Sequence, residues 1–227
     1  LLFWQSDKLA RWIALLTTLA VFCLSISLAV TSHAGSGWLF YEDLAWIQPY
    51  GIRYTLGMDG ISLLMVLLAA LLQVVAILIS WQQKQHPGLF FALILILATG
   101  TIGVFLALDL ILFYIFWELM LIPMFFLIGI WGQKNRVQAA LKFFFFTLAG
   151  SLFLLLAIIS LYLIHGGQTG DYTFALDALQ QTVLTPGTEM LLYIGFMLAF
   201  VVKVPLFPFH TWLPDAHAEA PSSGSVD

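Results

Sequence analysis

Charged residues are scarce in this sequence. Only 9% of its 227 residues are Asp, Glu, Lys or Arg, whereas 62% are hydrophobic and the mean hydropathy is +1.01. In soluble globular proteins about 25% of all residues are typically charged, and most of them cover the surface, so this class is excluded. The net charge of −4 also excludes a nucleic-acid-binding protein, which needs clustered Lys and Arg. The composition indicates an integral membrane protein.

Cysteine is nearly absent as well. The single cysteine, Cys23, lies in an apolar run, so this chain alone can form neither a disulfide nor a cysteine-held iron–sulfur cluster. His210, Asp215 and His217 lie close together in the sequence, but their spacing matches no standard metal site. We predict no metal site, no cofactor site and no catalytic redox residue in this chain.

Long hydrophobic runs, in contrast, recur along the chain. A membrane-spanning helix needs about 20 apolar residues, and six runs of about this length lie at 9–30, 60–81, 89–108, 110–131, 137–164 and 189–207. Segments such as the four phenylalanines at 143–146 are apolar on every face, unlike the strands of a membrane β-barrel. We predict one all-α transmembrane domain, a polytopic helical bundle over residues 1–227. We also expect a fragment, in which residues 208–227 start a further, truncated helix.

The basic residues of the connecting segments favour one side of the membrane. Five of them belong to alternate connections or their flanks: Lys8, Arg11, Lys84, Lys134 and Arg136. Only Arg53 lies in the remaining connections. Under the positive-inside rule, residues 1–8, 82–88 and 132–136 face the cytoplasm. The two longer connections, 31–59 and 165–188, face outward and are expected to form ordered covers.

Two charged residues lie deep within predicted helices. Glu118 and Lys203 are each near the middle of a span, where an ionised side chain costs at least a few kcal/mol. Such a residue faces other helices, has a partner and marks an ion or proton path. A structural ion pair is the alternative, but apolar residues of the same volume often stabilise a protein equally well. We predict that Glu118 and Lys203 titrate together on a proton path.

Four further residues have weaker assignments. Lys142 is a candidate for the same path, although its long side chain can equally reach the lipid headgroups from its position near a helix end. His210 is a candidate proton relay because imidazole titrates near neutral pH. Asp59 and Asp109 each precede a predicted helix, and we expect both to cap it.

Prolines follow both deep charges. Pro123 comes after Glu118, and Pro205 and Pro208 come after Lys203. Because proline has no N–H, these prolines are expected to break the helices and to free the carbonyls of Leu119, Val201 and Val204. Transporters use such broken helices at sites near the middle of the membrane. For Pro123, a kink made only for packing remains the alternative.

Three motifs carry a family resemblance. Residues 116–124 are Phe-Trp-Glu-Leu-Met-Leu-Ile-Pro-Met, residues 131–132 are Trp-Gly, and residues 203–217 are Lys-Val-Pro-Leu-Phe-Pro-Phe-His-Thr-Trp-Leu-Pro-Asp-Ala-His. Together they resemble the antiporter-like subunits of proton-pumping NADH–quinone oxidoreductase, respiratory complex I. Subunits of Mrp-type cation/proton antiporters are similar around the Glu and the Lys, so an antiporter subunit is the alternative.

The resemblance implies a fold of about fourteen helices with inverted repeats, of which this chain would hold the second to the seventh. It implies that Glu118 pairs with Lys203, that protons continue to residues outside this chain, and that Lys142 matches a family lysine. The implied activity is proton translocation driven by remote electron transfer. NADH, FMN, iron–sulfur clusters and quinone would belong to partner subunits. The implied partners are membrane-arm subunits of the L and N types and lipid, in the bacterial inner membrane.

Overall fold

The computed structural model describes residues 7–31 and 37–221. The elements in these ranges are α1 (Asp7–Thr31), β1 (Leu39–Ile47), β2 (Ile52–Met58), α2 (Gly60–Ile79), α3 (Pro87–Leu106), α4 (Leu110–Leu119), α5 (Leu121–Trp131), α6 (Arg136–Thr169), α7 (Leu176–Leu179), α8 (Pro186–Lys203) and α9 (Leu213–Glu219). Six segments are long and apolar enough to cross a membrane, with α4 and α5 together forming the fourth. The predicted polytopic helical membrane fold is therefore confirmed.

Helix ends differ from the sequence-based bounds where prolines and glycines intervene. The fourth span is interrupted at Met120, between α4 and α5, and Pro123 is the third residue of α5. The helix α6 runs on to Thr169, beyond the predicted end at 164, and Gly170 ends it in a left-handed conformation. The helix α8 ends at Lys203, four residues earlier than predicted.

The first long connection folds as a β-hairpin, which the sequence pattern did not predict. The strands β1 and β2 pair antiparallel, and a 3-10 turn at Gln48–Tyr50 joins them. Gly51 adopts a φ of +67° there, and a Cβ at this position would overlap the carbonyl oxygen of Tyr172. The hairpin is an ordered cover, as expected, but its first strand is largely exposed and lacks the apolar alternation that reveals a half-buried strand.

Asp109 joins the hairpin to the start of α4. Its buried carboxylate accepts hydrogen bonds from the backbone N–H groups of Arg53, Ile111 and Leu112, at 3.1, 2.9 and 3.1 Å. Burial raises the pKa of Asp109, and these three donors oppose that shift. Asp59 accepts from the Ser62 N–H at the start of α2. Both aspartates therefore cap helices, as predicted.

The structure has two ends that frame the membrane-spanning helices. We call residues 37–59, 107–109 and 170–185 the hairpin end, because segment 107–109 hydrogen-bonds to the hairpin and segment 173–176 hydrogen-bonds to residues 108–110. Residues 80–86 and 132–135 form the basic end. Trp131 Nε1 donates to the Gln85 carbonyl oxygen at 2.7 Å, which brings the two short connections together. The first of the three segments expected to face the cytoplasm is residues 1–8, and its residues 1–6 lie outside the described residues.

Candidate functional site

Lys203 ends α8 and reaches across to the end of α4. Its amine nitrogen lies 3.5 Å from the carbonyl oxygen of Trp117 and 4.8 Å from the centroid of the Trp117 ring. Trp117 belongs to the last turn of α4, where backbone carbonyls have no partner within the helix. A carbonyl oxygen and an aromatic face both attract a cation. The two helix breaks therefore meet at the Lys203 amine.

Glu118 is the next residue on α4 and interacts electrostatically with Lys203. Both side chains are half-buried. Within the described ranges, however, no ion pair within 4.0 Å joins them. The direct contact implied by the family resemblance is thus replaced by a contact between Lys203 and the backbone of the residue before Glu118.

Small residues bring α8 close to α6 beside this site. A Cβ added to Gly150 on α6 would lie 2.9 Å from the Cβ of Val202, the residue before Lys203. Further along the same interface, Ala199 is buried with Leu154, and Phe200 packs edge-on against the Trp117 ring at 5.7 Å. The position of Lys203 relative to α4 is therefore set by close packing of α8 against α6.

The segment after α8 turns back against the helices. The Leu206 N–H donates to the Val201 carbonyl oxygen at 2.9 Å. The expectation that proline frees this carbonyl was wrong, because the turn supplies another donor. Pro205 lies in this turn, and Pro208 lies in the next one, where the Phe209 N–H donates to the Leu206 carbonyl oxygen at 2.7 Å. Trp212 Nε1 donates to the Val202 carbonyl oxygen at 2.9 Å.

His210 lies in a 3-10 turn (Phe209–Trp212), with its ring 5.7 Å from the ring of Phe207. Its Nδ1 atom is buried and has no hydrogen-bond partner in the described part of the chain. The structure does not join His210 to Lys203 by a hydrogen bond among these residues. Across residues 7–31 and 37–221, no group of three or more His, Cys, Asp or Glu side chains is placed to hold a metal ion.

Lys142 has a partner that the sequence did not reveal. Its amine nitrogen lies 2.7 Å from Oδ2 of Asp215 on α9. The two residues are 73 positions apart, so no local spacing rule could connect them. The sequence offered one signal for this pair. Lys142 lies near a helix end, and Asp215, which had no assigned partner, follows the helix break after Lys203. Lys142 is thus half of an ion pair between α6 and α9.

The part of the chain that carries these residues matches a known family. A sequence model described as NADH:quinone oxidoreductase/Mrp antiporter, TM, matches residues 107–226, which is more than half of the chain and includes Glu118, Lys142 and Lys203. The chain belongs to this family. The resemblance seen in the sequence motifs is therefore confirmed.

Individual members of the NADH:quinone oxidoreductase/Mrp antiporter family show how much of a subunit is represented. NADH-quinone oxidoreductase subunit M of Escherichia coli (strain K12) is 44% identical, over 99% of this chain and 47% of its own length. A chain of respiratory complex I from Thermus thermophilus with bound NADH is 31% identical with a TM-score of 0.83, covering 96% of this chain and 44% of that chain. This chain spans about half the length of the curated relatives it matches.

A chain of the Mrp complex from Dietzia sp. DQ12-45-1b also superposes, with a TM-score of 0.79 over 94% of this chain and 23% of that chain. Its 21% identity shows a common fold alone. The higher identity to subunit M agrees with the sequence motifs and favours the complex I branch of the family over the Mrp branch.

Proposed function

We propose that this chain is part of a membrane-arm subunit of an NADH–quinone oxidoreductase and that it translocates protons along a path containing Glu118 and Lys203. The observation that carries the proposal is the position of the Lys203 amine, 3.5 Å from the backbone of the residue next to Glu118. The Lys203 amine lies there between two helix breaks, beside the residue that precedes Glu118, inside the segment that matches the family.

The geometry provides a way to couple charge to proton binding. Lys203 now contacts the Trp117 carbonyl oxygen, and the proposed coupling requires its flexible side chain to move from there to the carboxylate of Glu118. An ionised Glu118 stabilises the ammonium form of Lys203 when the two are close. Changing their separation would therefore load or release one proton, with the driving energy supplied by electron transfer elsewhere in the complex.

The remaining assignments follow from this role. We place the subunit in the bacterial inner membrane, with the basic end towards the cytoplasm under the positive-inside rule. Its partners would be lipid and membrane-arm subunits of the L and N types. NADH, FMN, iron–sulfur clusters and quinone would be bound by partner subunits, so this chain would contribute proton translocation without a redox site.

The first test replaces Glu118 by Gln in the complete, assembled complex. Gln has nearly the same shape but carries no charge, so we expect proton pumping into membrane vesicles to be lost. Electron-transfer rate and subunit content are measured on the same sample. An assembled Glu118→Gln complex that pumps normally would leave Glu118 as a structural residue and contradict the proposal.

The second test separates proton exchange at Lys203 from its positive charge. Lys203→Ala removes both, whereas Lys203→Arg retains the charge on a guanidinium that does not release its proton in this pH range. We expect both variants to lose pumping. Normal pumping by an assembled Lys203→Arg complex would show that Lys203 does not carry the proton.

The alternative is a subunit of a cation/proton antiporter of the Mrp type, because a chain of an Mrp complex has the same fold. Purification of the complex that contains this chain distinguishes the two. Co-purification with subunits that hold iron–sulfur clusters supports the complex I assignment, and Na⁺-dependent proton exchange without such subunits supports the antiporter.

A further inference from the structure

The ion pair of Lys142 and Asp215 lies between the basic end and Lys203. The Lys142 amine on α6 is 2.7 Å from the Asp215 carboxylate on α9, with 32% and 54% of the two side chains exposed. Asp215 also lines a cavity of about 360 Å³, whose other polar walls are Asn135, Gln138 and Glu219. One member of the pair therefore faces a polar cavity, and the other lies on the helix that leads towards Lys203.

The position of Lys142 along α6 shows where the ion pair lies relative to the basic end and to Lys203. Gly150 on the same helix packs against Val202, the neighbour of Lys203. Lys142 precedes Gly150 by eight residues, which is about 12 Å at 1.5 Å per residue. It therefore lies about two helical turns closer to the basic end than Lys203 does. Starting from the basic end and moving parallel to α6, one meets the cavity, then Asp215, then Lys142 and then Lys203.

The ion pair is not the main attachment of α9. Glu219 accepts hydrogen bonds from the backbone of residues Asn135 and Gln133, at 3.0 and 3.2 Å. Trp212, just before α9, is buried against Phe143 and bonded to Val202. Because these contacts already hold the segment, and because a partly exposed ion pair adds little stability, a purely structural role explains the pair poorly.

We propose that Asp215 and Lys142 form a proton relay from this cavity towards Lys203, an inference that rests on the proposed function. In the resting pair Asp215 is a carboxylate and Lys142 an ammonium. Asp215 takes up a proton from water in the cavity, and Lys142 releases one to water on the side of Lys203. The neutral acid then passes its proton to the neutral amine, which restores the ion pair. One proton enters, one leaves, and no electrons are exchanged.

The decisive variant is Lys142→Arg in the full-length subunit within the complex. Arginine keeps the charge and can bind the Asp215 carboxylate with two hydrogen bonds, but its guanidinium does not release a proton. We expect an assembled complex that has lost proton pumping. Normal pumping by this variant would overturn the relay and leave a structural ion pair.

Asp215→Asn tests the other half of the relay. Asn keeps an oxygen that can accept a hydrogen bond from Lys142 but cannot take up a proton, so we expect pumping to be lost and Asp215→Glu to restore it. Loss in Asp215→Asn that Asp215→Glu does not restore would contradict proton transfer. The matched control is Asp43→Asn at the other described ion pair, Asp43 to Arg53, which has the same 2.7 Å separation but lies at the hairpin end. This control should pump normally.

Chemical rescue gives a readout that a structural role would not change. In Asp215→Ala, space opens beside the cavity, and added formate can carry the proton in place of the missing carboxyl group. Membrane potential is measured in potassium medium with nigericin, so that the weak acid does not alter the readout through the pH gradient. Recovery with formate supports the relay, and its absence in an assembled complex contradicts it.

The same series separates the relay from the proposed function. If Lys203→Ala pumps normally, the proposed function fails. If Lys203→Ala loses pumping while Lys142→Arg and Asp215→Asn keep it, only the relay fails.

Discussion

The close approach of α6 and α8 beside Lys203 can be tested directly. A Cβ on Gly150 would lie 2.9 Å from the Val202 Cβ, whereas nonbonded carbon atoms prefer about 3.5–4.0 Å. In Gly150→Ala the helices would therefore have to separate by about 0.6–1.1 Å. Overpacking of this kind costs about 1–3 kcal/mol. Because Lys203 follows Val202 in the chain, the same displacement should move its amine relative to α4 and reduce pumping.

Gly129 provides a matched control in the same bundle. A Cβ there would lie 3.6 Å from Ala140 Cβ, an ordinary contact. Since Ala is favoured over Gly in a helix by up to about 1 kcal/mol, Gly129→Ala should be neutral or stabilising.

The assay measures proton pumping and the half-life of NADH–quinone activity at elevated temperature, on complexes checked for subunit content. A half-life is the suitable measure because large membrane assemblies unfold irreversibly. We expect Gly150→Ala to have a shorter half-life and weaker pumping than Gly129→Ala. Equal stability and equal pumping in these two variants would refute the helix spacing and its role in placing Lys203.

Three other predictions use the same preparations. Trp212→Phe removes the N–H that bonds to Val202 and should cost about 0.5–1.5 kcal/mol, so an unchanged half-life would exclude that bond. Asp109→Ala leaves three N–H donors, one buried and two partly buried, without their carboxylate. It should cost about 1–3 kcal/mol, with faster hydrogen exchange in the hairpin. Asp109→Asn, which keeps an acceptor, should cost less. The hydrogen bond from Arg53 holds the pKa of Asp43 below its usual value. The pair therefore stabilises the hairpin above about pH 4 and loses this effect as pH falls through the folded-state pKa of Asp43. Hydrogen exchange of β1 and β2, corrected for intrinsic rates, should rise over this pH range. The rise should be absent in Asp43→Asn.

The membrane-spanning helices could be predicted because their signal is local and strong. A run of about 20 apolar residues with few charges is the length that a helix needs to cross the bilayer, and soluble folds rarely contain one. Glu118 and Lys203 were selected as candidate site residues for a related reason, since ionisable residues are rare within such runs. The position of Lys203 beside the end of α4, however, depends on Gly150 and on the ends of two helices, and the sequence alone does not give that packing.

The features that were missed depend on long-range contacts or on backbone geometry. The hairpin was not predicted because β1 is exposed on both faces, so its sequence lacks the alternation of apolar and polar residues that indicates a half-buried strand. The partner of Lys142 is 73 residues away, and no sequence rule connects such a pair. The Val201 carbonyl was expected to be free because proline removes one donor, but the turn that the prolines induce supplies the N–H of Leu206 instead.

The ends of α4 and α8 explain why a lysine and a glutamate would respond differently at this position. The carbonyl end of a helix carries a partial negative charge, which favours a cation and disfavours an anion. Lys203 lies at the carbonyl end of its own helix, α8, and contacts a carbonyl oxygen at the same end of α4. Both helix ends therefore favour its positive charge. Glu118 occupies the last turn of α4, where the same field opposes its charge. An approaching ammonium would therefore give Glu118 compensation that its own helix does not provide. In the proposed mechanism, this asymmetry is why the separation of the two side chains would control proton binding.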